Sequence, residues 1–289
     1  TNRIRRAEAV YEISSAGVGF FYGAQVGDGG LQLDNNSIVD GNVFSNGNIT
    51  GSVGSEEITG TVQISGVGSI LQDVDVVGGD AYVDICDNSD VSGILHGSSN
   101  SGCTFTSFDT PYTPAAPIPL PISASQIDAW EVEANVGPTI GTTTITAPTS
   151  LGPVVVAGDL TVDSTLTVTG TIWVTGNFHL DNSEIVQLDA GYGATGGVIV
   201  VEGTVVLDNG SISKGSGTPG SYLLYVSTSP TNPAITVNPG GTVADIVYTT
   251  DGWIDVFNTA ILREVTGYGI HVHNTAEIRY ETGLASTLF

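Results

Sequence analysis

The chain has 289 residues, with 6 Lys or Arg against 30 Asp or Glu, a formal net charge of −24 and 40% apolar residues. So acidic a chain does not track a phosphate backbone or an anionic lipid surface, no apolar run reaches the length of a membrane span, and the apolar content is too high for a disordered acidic tail. With 39 Gly, abundant Thr and Val, two Cys and no Met, the composition describes an all-β, turn-rich chain, and the missing initiator is expected of a processed or truncated one.

Residues 1–25 differ from all that follow. Arg3, Arg5 and Arg6 are half of the basic residues, and apolar positions recur from Ala7 to Phe21. The pattern predicts a helix over 1–25, frayed by Gly17 and Gly19. It would serve as a stalk or as a cap on the open end of a solenoid, or continue a membrane helix preceding Thr1.

From Gly29 onward a loose unit recurs. It is a Gly, two apolar residues two apart, an Asn two further on, and then an apolar residue. Its copies carry Leu31, Leu33, Asn35 and Ile38; Phe178, Leu180, Asn182 and Ile185; Val205, Leu207, Asn209 and Ile212; Ile254, Val256, Asn258 and Ile261; and, with one extra residue, Ile270, Val272, Asn274 and Ile278. Two apolar residues two apart share one face of a strand. An Asn at the strand end suits a turn and tolerates left-handed dihedrals. In stacked windings these amides would form a ladder, with the long interval from Asn209 to Asn258 spanning two windings. An antiparallel sandwich is the alternative, but it gives no reason for an Asn at one fixed offset.

Cys86 and Cys103 do not fit a metal-knuckle spacing. A disulfide in an oxidising, extracytoplasmic location is the simpler reading, and two buried free thiols are the alternative. The stretch 104–121 holds five Pro and reads as an extended loop. Ser123 and Gln126 form a capping-box signature. A helix over 123–135 would place Ile127, Trp130 and Ala134 on one face, with Trp130 anchoring it to the solenoid.

The expected fold is therefore all-β: a single-stranded parallel β-helix with an N-terminal helix and one inserted Pro-rich loop plus short helix. Its sections would be 1–25 (helix), 26–103 (first β-helical section), 104–150 (loop and helix) and 151–289 (second β-helical section).

Few constellations carry chemistry. Asp181 and Asp208 each precede a repeat Asn and would stack if their windings are adjacent, for acid–base work or calcium. Arg263 and Arg279 each follow a repeat Asn by five residues, with Glu264, Glu277 and Glu281 near enough in sequence to compensate them. His271 and His273 point outward together and could chelate a transition metal, but the sequence shows no third ligand. Trp173 and Trp253 occupy outward positions, suited to seating the loop or helix, or to stacking on a sugar. No phosphate-binding fingerprint is present. No catalytic residue, cofactor or metal is expected from these patterns.

Several strings, taken in order, are also familiar: Arg5-Arg6-Ala7-Glu8-Ala9-Val10-Tyr11-Glu12-Ile13, residues 41–51, the Cys86 and Cys103 pair, residues 119–123, residues 170–177 and residues 215–222. Together they resemble bacterial pilus-associated surface proteins of the PilX-type, minor-pilin-like group with a β-helical ectodomain. The resemblance implies membrane-anchored synthesis, export and incorporation into a filament, and it carries over no active site.

The functional expectation is an exported structural protein, extracellular at the cell surface, and not an enzyme. It would be a subunit or decoration of a pilus or filament, with partners among its own copies or other filament subunits, joined through the solenoid ends and the N-terminal helix. A run such as 284–289 would suit that contact. The alternatives are an adhesin or receptor-binding module that recognises glycans and, behind it, a polysaccharide lyase or hydrolase. No nucleic-acid partner is expected, and a membrane only through an N-terminal segment missing from this chain.

Overall fold

The computed structural model describes residues 18–52 and 55–289. The strands there form one sheet in which every pairing is parallel, so the protein is an all-β parallel solenoid and not an antiparallel sandwich. Short strands meet at corners and build three walls. Along each strand alternate side chains turn inward, and like positions stack from winding to winding. In one wall Leu160, Phe178, Val205, Ile235, Ile254 and Ile270 lie in register, and the column continues through Leu31, Ile49, Leu71 and Cys86.

That column does not follow chain order. The strand Ala24–Leu33 lies between Ile261–Val272 on one side and Val43–Ser45 with Ile49–Gly51 on the other. Ile38–Asp40 likewise sits on Glu277–Arg279. The solenoid therefore starts at its middle. Residues 24–109 wind outward to one end, and the chain then crosses outside to the opposite end. From there residues 139–279 wind back until their last winding stacks on the first. The junction of residues 261–279 with residues 24–40 is a seam without covalent continuity, yet it pairs like any other neighbouring windings.

The crossing is made by the Pro-rich strap and the helix α1, Ala124–Ala134. Along the strap, Tyr112 faces Tyr82, the Ala115 carbonyl accepts from Gly66 N, Ile118 exchanges two hydrogen bonds with Asn46, the Pro119 carbonyl accepts from Gln25, and the Ile122 carbonyl accepts from Tyr248. These partners belong to successive windings, so the strap runs along the stacking axis and over the seam. An extended strap of residues 110–122 covers about 40 Å and the helix about 16 Å. Roughly twelve windings at about 4.8 Å need the same length.

Ser123 caps α1 by accepting from Gln126 N, and Ile127, Trp130 and Ala134 are buried. They join a second apolar layer on the outside of one wall, with Val198, Val200, Leu224, Val226, Ile246 and Tyr248. Val18, Phe20 and Leu284 complete that layer. Strands such as Gly197–Val201 and Leu223–Ser227 are buried at every position because both of their faces are covered.

Three expectations need correction. Residues 1–17 of the expected N-terminal helix lie outside the described residues. Residues 18–23 are not helical, and Ala24 begins a strand in mid-stack, so residues 18–23 lie on a side wall and not at an end. The winding sections also extend further than expected. Thr104–Asp109 is a strand, and the second section begins with Thr139–Ile145, where Thr in place of aliphatic residues hides the alternation. The 284–289 run serves the molecule itself: Leu284 is fully buried and the Phe289 ring meets Phe20 edge-on at 6.0 Å.

Candidate functional site

Two regions stand apart from the closed wall: the ends of the solenoid and one polar corner. Among the described residues, Thr104–Asp109 at one end pairs only with Asp90–His96, and Ser99–Ser101 only with Ile85–Asp87. At the other end, again among the described residues, Thr139–Ile145 pairs only with Val154–Val162, and Thr149–Leu151 only with Leu166–Val168. Each end thus presents unpaired backbone donors and acceptors. Among the described residues the inward column also stops there without a full cover, since Phe105 and Phe108 at the first end and Ile140 and Leu151 at the second are only partly buried. Residues 97–108 and 138–158 contain no Asp, Glu, Lys or Arg, so within the terminal strands of this strongly acidic molecule only Asp109 is charged.

Cys86 and Cys103 form a disulfide beside the first end, with Cα atoms 6.3 Å apart. Such a bond places the protein in a non-reducing environment. Among the described residues no helix is long and apolar enough to cross a membrane.

The repeat Asn residues lie at one corner. Continuing the strand register by two residues stacks Asn182, Asn209, Pro239, Asn258, Asn274 and Asn35 in that order. The interval from Asn209 to Asn258 does span two windings, with Pro239 between them. A continuous amide ladder does not form. Among the described residues the only hydrogen bond joining two of these amides runs from Asn35 Nδ2 to Asn274 Oδ1, 2.8 Å across the seam, while Asn182 turns back to Asp181. The left-handed residue is also one position later than expected: Asn36, Ser183, Gly210, Gly240, Thr259 and Thr275 all have φ between 58° and 89°. The Asn ends the strand, and its successor turns the corner.

The chemistry lies in the column just before the Asn, which holds Asp181, Asp208, Asn238, Phe257, His273 and Asp34. Asp181 and Asp208 are in adjacent windings. His179 joins them, with its Nε2 2.7 Å from Asp208 Oδ2, while Asn238 Nδ2 donates to Asp208 Oδ1 at 2.6 Å. Four windings beyond Asp208, Asp34 meets both histidines: its Oδ2 is 2.8 Å from His271 Nε2 and 3.3 Å from His273 Nδ1. The two imidazoles are 3.6 Å apart between centroids, and Phe257 stacks flat on His273 at 4.3 Å. Each cluster gathers three side chains with ligand atoms within 4.8 Å of one another. Burial, and then the His271 ring, push the His273 pKa below its usual value, against the opposing pull of Asp255 and Asp34. His273 is thereby favoured as a neutral imidazole.

Asp34 is the third group that the sequence did not reveal. It and His273 both directly precede a repeat Asn, a shared offset that becomes informative only once the first and last windings are known to be neighbours.

The other candidates are structural. Arg263 reaches back to the buried Asp245 at 2.8 Å and also pairs with Glu281, while Arg279 pairs with Glu277. Burial raises the Asp245 pKa despite its hydrogen bonds from Leu223 N and Arg263. Glu264 takes no part in this cluster: it is buried against the outer apolar layer, which pushes its pKa well above the usual value. Trp173 donates to Glu202 on the wall that seats α1, and Trp253 covers Gly269. A groove between strap and helix is lined by Pro119, Ile122, Asp128, Glu131, Tyr248 and Asp251, among others. Its aromatic residue, Tyr248, is 1% exposed, which leaves no ring face for a sugar. No protein-family model, curated protein sequence or solved structure matches the chain.

Proposed function

We propose that the protein is an exported structural subunit of a surface filament or pilus-like assembly. In this reading it is a single-stranded β-helix whose copies stack head to tail, and it has no catalytic role. The carrying observation is the pair of open ends, whose terminal strands carry no charge but that of Asp109. Both present parallel strand edges around a core column whose last members, Phe105 and Phe108 or Ile140 and Leu151, are only partly covered by the described residues. The two ends differ, so contact between them is heterologous and propagates instead of closing. The seam supports the same reading, because there a winding accepts a neighbour to which it is not chemically joined.

Wall charge opposes association over the range set by the Debye length, about 8 Å at physiological salt. Raising the ionic strength is therefore expected to lengthen the assemblies. Negative-stain imaging and light scattering test this. The protein should form linear stacks with an axial repeat of one solenoid height. Phe108→Asp combined with Ile140→Asp, at partly exposed positions, should leave folded monomers. Monodisperse particles across all salt concentrations would overturn the proposal.

A further inference from the structure

His271 and His273 lie on the last winding, Asp34 on the first, and Asp255 on the winding beneath His271. The seam brings Asp34 Oδ2 within 2.8 Å of His271 Nε2 and 3.3 Å of His273 Nδ1. A tetrahedral zinc site with bonds of about 2.0–2.1 Å separates its ligand atoms by about 3.3 Å. One of these spacings already matches, and the other needs an opening of about half an ångström. The set also suits a borderline metal, with two imidazoles and one carboxylate.

A plain histidine–aspartate ion pair explains the corner less well. Two rings 3.6 Å apart repel one another if both are cationic, and Asp34 and Asp255 are the carboxylates beside them. If both rings instead donate neutral N–H groups to Asp34, His273 Nε2 becomes a bare acceptor facing Asp255 Oδ1 at 3.9 Å. That nitrogen is buried and has no hydrogen-bond partner. Ligation through Nδ1 resolves this: Nε2 then carries the proton and points it at Asp255, the carboxylate–histidine–metal arrangement that fixes ring and tautomer. Phe257, flat against the ring, holds the same orientation. Arg263 and Arg279 are engaged by other carboxylates, so neither neutralises Asp34 and Asp255.

The geometry points to a zinc-class divalent metal site formed by Asp34, His271 and His273, with Asp255 orienting His273, that staples the first winding of the solenoid to the last. Its role is structural, because the ligands come from the two chain segments that meet at the seam. The site does not depend on end-to-end stacking, since one chain supplies every ligand.

The test titrates Zn²⁺ into metal-stripped, monomeric protein by calorimetry, with Co²⁺ as a spectroscopic probe of tetrahedral nitrogen–oxygen ligation. One equivalent should bind. His271→Gln with His273→Gln should abolish stoichiometric binding. Asp255→Asn should weaken it about 10- to 100-fold, and His179→Gln should leave it unchanged. In the unsubstituted protein, hydrogen exchange should slow with Zn²⁺ in Ala24–Leu33 and Ile261–Val272, a readout that needs no variant to fold. Absence of saturable binding, binding lost in His179→Gln instead, or protection away from the seam would each overturn the assignment.

Discussion

Cutting the Cys86–Cys103 bridge should loosen one end of the solenoid and leave the other as it was. The two residues are separated by 17 positions, and closing a loop of that size stabilises by about 3 kcal/mol in the chain-entropy treatment. In a solenoid each winding contacts only its neighbours, so the loss falls on the windings that the bridge joins. Reduction removes the constraint while keeping both sulfur atoms, which separates the cross-link from the cavity that a buried Cys86→Ala change would add. Hydrogen exchange with and without reductant is the assay. At about 1.4 kcal/mol per decade, exchange should speed up about 100-fold in Ile85–Asp87, Asp90–His96, Ser99–Ser101 and Thr104–Asp109. Leu166–Val168 and Phe178–Leu180, in the opposite half, should not change. Uniform acceleration through both halves would refute the nearest-neighbour reasoning, and no acceleration at the bridged end would refute the assigned role of the bridge.

Trp130→Ala, at a position 1% exposed, should cost about 3–5 kcal/mol and free α1 from the outer wall, read as a lower denaturation midpoint and faster proteolysis of the strap. Thr275→Gly should stabilise by about 1 kcal/mol, because a β-branched residue at φ 58° is strained and Gly is not; a lower urea midpoint would refute it. Glu264→Gln should flatten the pH dependence of stability. With its folded pKa raised, the Glu264 contribution is fully present below the usual carboxylate pKa and is lost as pH rises toward the raised value. The slope reaches about 1.4 kcal/mol per pH unit at most. Urea midpoints of the two proteins measured from pH 4 upward should diverge in that sense, and parallel curves would refute it.

The windings were legible because the repeat couples two strand positions to a corner at a constant offset, as Phe178, Leu180 and Asn182 show against Val205, Leu207 and Asn209. The disulfide, the cap at Ser123 and the buried face of α1 were legible for similar reasons, each resting on a local spacing. What escaped was non-local. Nothing near Leu31 in sequence says that Ile270 lies beside it, and without that neighbour the Asp34, His271 and His273 cluster is invisible. The covered outer wall did leave a trace: Gly197–Val201 and Leu223–Ser227 are almost continuously apolar, where a wall facing water would alternate. The Thr-rich winding at 139–151 left none, because its end position relieves it of the need for aliphatic side chains.

The placement of the coverings bears on assembly. Solenoids that remain single usually blunt their ends with a helix, a loop or charge, since an open parallel edge recruits further strands. This chain has a helix, a Pro-rich strap, an N-terminal segment entering at Val18 and a C-terminal turn around Leu284, and all of them lie on the side wall. Its charge is likewise absent from residues 97–108 and 138–158. Starting the winding in mid-stack produces this arrangement. Among the described residues, entry and exit meet at the seam, and both ends are built from internal windings. A fold that needed to remain solitary would gain from moving any one of these coverings to an end, and among the described residues none is there.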